Sequence, residues 1–406
     1  MIAALLLAAI TTIPKAFAGL PLDAALQKAV AISPDVAQAR ERVNENNALL
    51  AAARGLAAPV LTANYAQAPQ GGNNNNTITQ RLTTVGGQIT LGDYLAYAPT
   101  VRQAYFTLAG AQYDLLDAQR AEHIKVLGQY FAALKAVATV GLRDQDEAGA
   151  RLDLRAAQLR YRAGDAPRLD VVRAQVALAN AQSNLEFARV DLANAQNALA
   201  VETGEPLAVF TRLAAAGSTV SAPANPDAAV SRALAQRSDL FSAQQAVNAE
   251  QSAVHIAERG VLPAVTVSAG YTSGVDSGIA VHGPSANVNV SLPISHTSHD
   301  RASAERARLS QAKDKAESVR RQIIVAVSAA ARTYAESVRA LESAARARVA
   351  AAQELRATQT GYRSGASSSL DVADARRTYV QAALNELSAI YAQAQAAATL
   401  QEEMGP

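Results

Sequence analysis

The sequence contains no cysteine and no tryptophan, and aromatic residues make up only 4 % of its 406 residues. Without cysteine the chain has no disulfide scaffold, no thiolate zinc site and no cysteine nucleophile, and we expect no lipid anchor on an N-terminal cysteine. The excess of positive over negative charge is also small, because 37 Lys and Arg residues against 35 Asp and Glu residues give a net charge of +2. This balance argues against a nucleic-acid-binding protein, which needs a basic surplus or stripe. No later apolar run approaches the ~20 residues that a transmembrane helix requires.

The first 18 residues have the pattern of a secretion signal. An apolar run over residues 2–13 is interrupted only by Thr11 and Thr12, and Ala16-Phe17-Ala18 follows it. An apolar segment followed by small residues in this spacing is typical of a signal peptide, so we predict residues 1–18 as one, cleaved after Ala18. The alternative for this segment is a short buried helix.

The chain contains an internal duplication. Asp35 matches Asp239, and Pro59 matches Pro263, at a constant offset of 204 residues. Ordered matches of this kind indicate two copies of one structural unit. We predict a first repeat over residues 19–204, a linker over 205–226 and a second repeat over 227–406.

Each repeat has the pattern of a helix, two strands, a very long helix and a further helix. The first helices are expected at about 33–57 and 227–261, and proline ends each of them because it cannot continue the hydrogen-bond ladder. Alternating polarity then indicates strands, which we place at about 59–68, 78–91, 263–273 and 286–293. Helices predicted as uninterrupted at about 93–163 and 298–364 lead to tip hairpins at about 161–170 and 362–371. A helix of ~66 residues is ~100 Å long and is stable only if it packs along its length.

Four strands per chain are too few for a membrane barrel, because the smallest such barrels have about eight. The pattern therefore predicts an oligomer whose strands combine into one sheet. Two chains would supply eight strands and three chains would supply twelve, and the strand pattern alone does not choose between them.

Two tip motifs complete the pattern. They are Tyr161-Arg162-Ala163-Gly164 leading to Leu169-Asp170-Val171, and Gly361-Tyr362-Arg363-Ser364-Gly365 leading to Leu370-Asp371-Val372-Ala373-Asp374-Ala375. With these motifs in a duplicated plan, the chain resembles the TolC family of outer-membrane efflux proteins over nearly all of its mature length. The resemblance implies a mainly α fold with a small β part, and a homotrimer that forms an α-helical barrel and a twelve-stranded transmembrane β-barrel.

The resemblance also implies a function and partners. The chain is expected to be the passive exit duct of a tripartite efflux or type I secretion system, in the outer membrane of a Gram-negative bacterium and extending into the periplasm. Its expected partners are two further copies, outer-membrane lipid, a periplasmic adaptor (membrane fusion) protein and an inner-membrane pump of the RND or ABC type.

Two aspartates near the second tip are candidate pore residues. Asp371 and Asp374 lie three residues apart and so share one face of a helix, and in the resembled family matching aspartates line the periplasmic constriction and attract cations. A ring of like charges raises carboxylate pKa values and favours cations in the lumen. The alternative is an outward, solvated face. The counterpart of Asp374 in the first repeat is Arg173, so only one hairpin per chain carries the pair.

In the resembled family a tyrosine, an aspartate and an arginine at the tip tie neighbouring hairpins together. Tyr362 and Asp170 match the first two, whereas Ser367 occupies the position of the arginine; Arg363 and Arg168 are the candidates to replace it.

Two glycines match those at which the family's tips turn and meet the adaptor, namely Gly164 and Gly365. Glycine suits such a position because it tolerates positive φ and admits a partner's backbone.

The sequence shows no arrangement of nucleophile, base and acid, so we predict no enzymatic activity and no cofactor. His296 and His299 lie close together where a strand meets a long helix, but no thiolate or carboxylate cluster completes a metal site, and we predict none. The alternative function is a structural periplasmic coiled coil without a pore, which would not need four amphipathic strands.

Overall fold

A computed structural model describes residues 21–71, 77–205, 226–259, 263–276, 279–291 and 297–405 of the chain. The predicted signal peptide and almost all of the predicted linker lie outside these residues. The helices are α1 (Leu22–Ile32), α2 (Pro34–Gly55), α3 (Leu91–Ala163), α4 (Arg168–Thr203), α5 (Pro226–Gln236), α6 (Ser238–Arg259), α7 (Thr297–Ser364) and α8 (Ser369–Met404). The strands are β1 (Val60–Gly71), β2 (Thr77–Thr90), β3 (Ala264–Asp276) and β4 (Ile279–Ser291).

The predicted fold class, mainly helical with a small sheet, is confirmed, and both halves of the chain share one order of elements. Each half begins with two helices rather than the single one expected. The first break falls at Ser33, which has a ψ of 124° because the residue before a proline avoids the helical region. The second break falls at Arg237, a buried residue whose guanidinium pairs with the Glu403 carboxylate. Neither proline nor glycine marks that break, so the local sequence does not show it.

The prediction that the first long helix runs without interruption overlooked Pro99, which lies inside α3. In an α-helix the N–H of residue 99 would donate to the carbonyl of Leu95, but proline has no N–H, so this carbonyl lacks its usual backbone donor. The Arg259 guanidinium at the end of α6 donates to that carbonyl instead. The helix therefore continues past the proline with a side chain in place of the missing backbone donor.

The four strands form one antiparallel sheet in the order β1-β2-β3-β4, which leaves β1 and β4 at its edges. Three strands lie within a few residues of their predicted bounds, but the expectation that β4 begins near residue 286 was wrong. It begins at Ile279, and Pro284, predicted to belong to a loop, pairs with Tyr271 of β3. Proline is tolerated there because β4 is an edge strand.

The chain divides into two compact units, one of residues 1–37, 117–237 and 322–406, and the other of residues 38–116 and 238–321. The first unit has a core in which α1, α3, α4 and α8 meet around the fully buried Val126, Tyr130 and Leu199. The second unit contains the sheet. Among the described residues, no helix combines the length and apolarity needed to cross a membrane.

Candidate functional site

The two tip hairpins turn in the same way. α3 ends at Ala163 and α7 ends at Ser364, and each is followed by a glycine with positive φ, +82° at Gly164 and +83° at Gly365. A Cβ at either glycine would meet nothing within 4 Å. The backbone conformation, rather than a lack of space, therefore requires glycine at both tips.

Equivalent aspartates of the two repeats, Asp170 and Asp371, make different contacts. Asp371 forms a capping box at the start of α8, in which its Oδ2 accepts from the Ser368 amide at 2.7 Å and its own amide donates to Ser368 Oγ at 3.2 Å. Hydrogen bonds from the Ser368 amide and hydroxyl lower the pKa of Asp371. α4 starts after Pro167 without a side-chain cap, and Asp170 Oδ1 accepts from Ser369 Oγ of the other hairpin at 2.5 Å.

Two more contacts join the hairpin of α3 and α4 to the hairpin of α7 and α8. Arg160 Nη1 donates to the Tyr362 carbonyl at 2.8 Å, and its Cζ lies 4.4 Å from the centroid of the Tyr362 ring. Arg376 Nη2 lies 2.5 Å from Asp153 Oδ2, to which Arg376 Nε also donates at 2.8 Å. Together with the bond between Asp170 and Ser369, these contacts form what we call the hairpin clasp.

The structure also locates the residues expected to close the tip. Arg363 and Arg168 are exposed, and neither forms an ion pair within the described part of the chain. The hydroxyl of Tyr362 is shielded from solvent and has no hydrogen-bond partner there. The amide of Ser367 donates to the Gly361 carbonyl at 3.2 Å, so this residue shapes the turn. Their roles between chains remain predictions.

Sequence reasoning missed Arg160, Arg376 and Ser369. The partners of all three lie roughly two hundred residues away, and no local signal in the sequence identifies them.

Asp374 and Asp371 are both exposed in the single chain. Both a pore-lining face and an outward solvated face require this exposure, so it does not choose between them. Asp374 Oδ1 lies 3.1 Å from the Arg377 guanidinium, one turn further along α8. Arg173, the counterpart of Asp374, lies 4.0 Å from Asp170 Oδ1.

A groove of about 640 Å³ lies between the two hairpins, and the clasp residues Arg160 and Asp170 are part of its lining. Its charged lining residues are Arg143, Asp146, Asp153, Arg160, Asp170, Arg173, Arg363, Arg376 and Arg377. Burial raises the pKa of Asp146, although Arg376 and Arg143 oppose the shift. Within the described ranges no group of three or more histidine, aspartate or glutamate side chains is placed to hold a metal ion; His296 lies outside them.

The sheet is a second candidate surface, because its two faces differ in polarity and exposure. One face carries Val85, Val267, Tyr271 and Val288, which are 40–68 % exposed. The opposite face carries mainly small polar residues and glycine, which are less exposed on β2 and β3, together with Val60, Leu82, Ile279 and Val281. On that face Thr84 Oγ1 and Thr272 Oγ1 lie 3.0 Å apart, and Thr272 Oγ1 donates to Ser285 Oγ at 3.3 Å. A soluble sheet would bury the apolar face instead.

Comparisons with known proteins agree on one family. The sequence model of the family described as "Outer membrane efflux protein" matches residues 25–205 and 229–406. The pyoverdine export outer membrane protein OpmQ of Pseudomonas aeruginosa is 24 % identical over 350 residues, which cover 81 % of this chain and 71 % of OpmQ. Outer membrane protein TolC of Vibrio cholerae is 26 % identical over 306 residues, covering 71 % and 67 % of the two chains. The crystal structure of the outer membrane protein VceC from Vibrio cholerae has the same fold, with a TM-score of 0.81 at 17 % identity and coverage of 95 % and 96 %.

Proposed function

Because the chain belongs to the outer membrane efflux protein family, we propose that three copies of it form a passive exit duct without enzymatic activity. Family members are outer-membrane efflux channels of Gram-negative bacteria, and this chain is an outer-membrane exit duct of an efflux system.

The observation that carries the proposal is the exposed apolar face of the sheet. Tyr271 and Val288 lie in strands of a sheet whose opposite face is lined mainly by threonine, serine, asparagine and glycine. Apolar side chains outside and polar side chains inside are the arrangement of a transmembrane barrel. The unpaired edges of β1 and β4 need partners, because a long exposed strand edge promotes aggregation. Three copies joined edge to edge would give twelve strands and leave no free edge. The alternative, a structural coiled coil without a pore, does not account for this sheet.

The tips support the proposed partners. Gly164 and Gly365 are exposed turns with open space beside each Cα, which suits contact with the backbone of a periplasmic adaptor protein. An adaptor bound there would connect the duct to an inner-membrane pump of the RND or ABC type. The same plan serves efflux and type I secretion.

Assembly is tested by the mass of the protein extracted from outer membranes in detergent. We expect three times the chain mass; a monomer or dimer as the sole inserted species would refute the trimer. Val267→Arg places a charge on the apolar face and should reduce insertion, at a cost of about 2–4 kcal/mol if the site lies near the bilayer midplane. Ser268→Arg, the adjacent residue on the polar face, is the matched control and should insert normally while lowering conductance. Equal insertion of both variants would contradict the assignment of the two faces.

A further inference from the structure

A buried carboxyl group in α3, that of Glu122, is not among the residues assigned to the pore, the tips or the sheet. Glu122 is 4 % exposed. Its Oε2 accepts from Ser33 Oγ at 2.9 Å, and Ser33 is itself buried in the connection between α1 and α2. The other oxygen, Oε1, is shielded from solvent and has no hydrogen-bond partner. A buried carboxylate oxygen without a donor costs the full desolvation of a charged group.

The groups around Glu122 do not supply the missing donor. The Glu202 carboxyl, near the end of α4, is a neighbour of the Glu122 carboxyl and contributes to raising its pKa. An ionised carboxylate only accepts hydrogen bonds, so this contact is a bond only if one of the two carries a proton. Lys125 Nζ lies 2.8 Å from Glu202 Oε2. The side-chain oxygen of Gln129 is also shielded and lacks a donor.

Glu122, Glu202 and Lys125 taken together are neutral only when one proton is present. Glu122 and Glu202 together would carry two negative charges against the single positive charge of Lys125. Asp35 of α2 is the further charged group that acts on Lys125. Burial raises the pKa of Glu122, against the hydrogen bond from Ser33 and the charge of Lys125. At Glu202 burial alone would raise the pKa, but hydrogen bonds from Lys125 and Glu122 outweigh it and lower the pKa.

We infer that Glu122 and Glu202 form a proton-binding site, in which one proton held on Glu122 and shared with Glu202 fastens the α1–α2 connection at Ser33 to α3 and α4. This inference goes beyond the proposed duct and does not depend on it. Protonated Glu122 donates to Glu202 and accepts from Ser33, so both carboxyl oxygens of Glu122 have a partner. Loss of the proton leaves two adjacent carboxylates and a buried negative charge, which loosens the connection.

The direction of the pH effect follows from linkage. The folded state holds the proton above the pH at which an ordinary glutamate releases it. The stability that the proton contributes is therefore fully present below the unfolded pKa of 4.5, and it is lost as pH rises through the folded pKa. Between those two values, each pH unit should increase local opening roughly tenfold beyond the intrinsic pH dependence of exchange, since one proton is released.

The experiment combines two measurements on the full mature protein in detergent. Infrared difference spectra between low and high pH should show the carbonyl band of a buried protonated carboxyl group in the wild type and not in Glu122→Gln. In the wild type, hydrogen exchange at the amides of Ser33 and Ala37 should accelerate with pH more than the intrinsic pH dependence of amide exchange explains. Glu122→Gln keeps the shape of the side chain and supplies a permanent hydrogen-bond donor. In this variant the exchange rates of the two amides should therefore change with pH only as intrinsic exchange does.

Two control variants separate this site from other titrating groups. Glu186→Gln removes a carboxylate on α4 that is 68 % exposed and should behave as the wild type. His123→Gln removes the neighbouring histidine, whose Nδ1 lies 3.5 Å from Glu402 Oε1 of α8. If the extra pH dependence disappears in His123→Gln, or persists in Glu122→Gln, the proton does not reside on the carboxyl pair. Absence of the infrared band at every pH would overturn the inference without any variant.

Discussion

The Arg160 guanidinium spans the two hairpins of one chain by donating to the Tyr362 carbonyl at 2.8 Å and stacking over the Tyr362 ring at 4.4 Å. Ser367 occupies the tip position at which the resemblance led us to expect an arginine. A cation is therefore present at the tip of this chain, but it comes from the end of α3.

Removal of this cation should loosen the pair of hairpins. We expect Arg160→Ala to lose about 2 kcal/mol of interaction between them, from one charge-assisted hydrogen bond and one cation–π contact. That loss would shift the balance between closed and open tips about thirtyfold, seen as higher single-channel conductance in planar bilayers. Arg363→Ala removes the same charge next to Tyr362 without breaking an ion pair or side-chain hydrogen bond in the described part of the chain, and it is the matched control. If both variants conduct alike, Arg160 does not hold the hairpins together.

The predicted pore role of the two aspartates of α8 is tested by replacing both. Asp371→Asn with Asp374→Asn keeps acceptors in place and removes the charges, so cation selectivity and block by trivalent cations from the periplasmic side should fall. The change should be larger at 0.1 M than at 1 M salt, because the Debye length falls from ~10 Å to ~3 Å. Arg173→Ala, in the other hairpin, should preserve or strengthen block. Unchanged reversal potentials in the double variant at low salt would mean that these aspartates face outward.

Asp371 also has a structural role with its own pH dependence. Because hydrogen bonds from Ser368 lower its folded pKa, the cap is present above the unfolded pKa and is lost as pH falls through the folded value. Amide exchange in the first turn of α8 should accelerate in acid beyond the intrinsic trend. Asp371→Asn should lack that acid-dependent step, and its persistence there would assign the step to another group.

At the tip glycines we expect the backbone conformation that a substituting residue can adopt, rather than its size, to decide whether it is tolerated. Both have positive φ and open space beside the Cα, so Gly365→Asn should disturb the turn less than Gly365→Val, which strains the backbone. Both variants should still insert as trimers. Export should fall if the tips bind the adaptor, and normal export by both would place the adaptor elsewhere. Gly55→Ala, which also has open space but no positive φ, serves as the control.

The contact between Arg259 and Leu95 can be tested by a double-mutant cycle. Arg259→Ala should cost about 0.5–1.5 kcal/mol of stability, because the Leu95 carbonyl loses its donor. Pro99→Ala restores a backbone N–H four residues after Leu95, so Arg259→Ala should be nearly neutral in that background. Thermal unfolding of the four proteins measures the coupling. Purely additive effects would show that Arg259 does not compensate for the proline.

Features fixed by local backbone constraints were predictable from sequence. The helices before Pro59 and Pro263 end at Gly55 and Arg259, within two residues of the ends expected from these prolines. Gly164 and Gly365 occupy positive-φ turns, as expected. β4 was placed too late, since glycine and proline between residues 274 and 284 indicate a loop, and pairing with β3 overrides that indication at the edge of the sheet.

Features that depend on distant contacts were not predictable. Arg160, Arg162 and Arg168 are close in sequence and similar in chemistry, and nothing local singles out the one whose guanidinium reaches Tyr362. Asp170 and Asp371 match across the duplication, yet one contacts the other hairpin and one caps its own helix. The contacts of each aspartate depend on the residue three positions earlier, which is Ser368 for Asp371 and Pro167 for Asp170. They also depend on how hairpins two hundred residues apart pack together.

The different helix starts make the two tips of each chain mechanically unequal. α8 begins with two amide donors satisfied by the capping box, whereas the first turn of α4 has no side-chain cap. An uncapped helix start retains unsatisfied amides and frays more readily. Under a pull along the hairpins, α4 should unwind before α8, so each chain would have one compliant tip and one stiff tip. A ring of three chains would then alternate soft and rigid contacts around its rim, and a partner would meet two kinds of surface although the chains are identical.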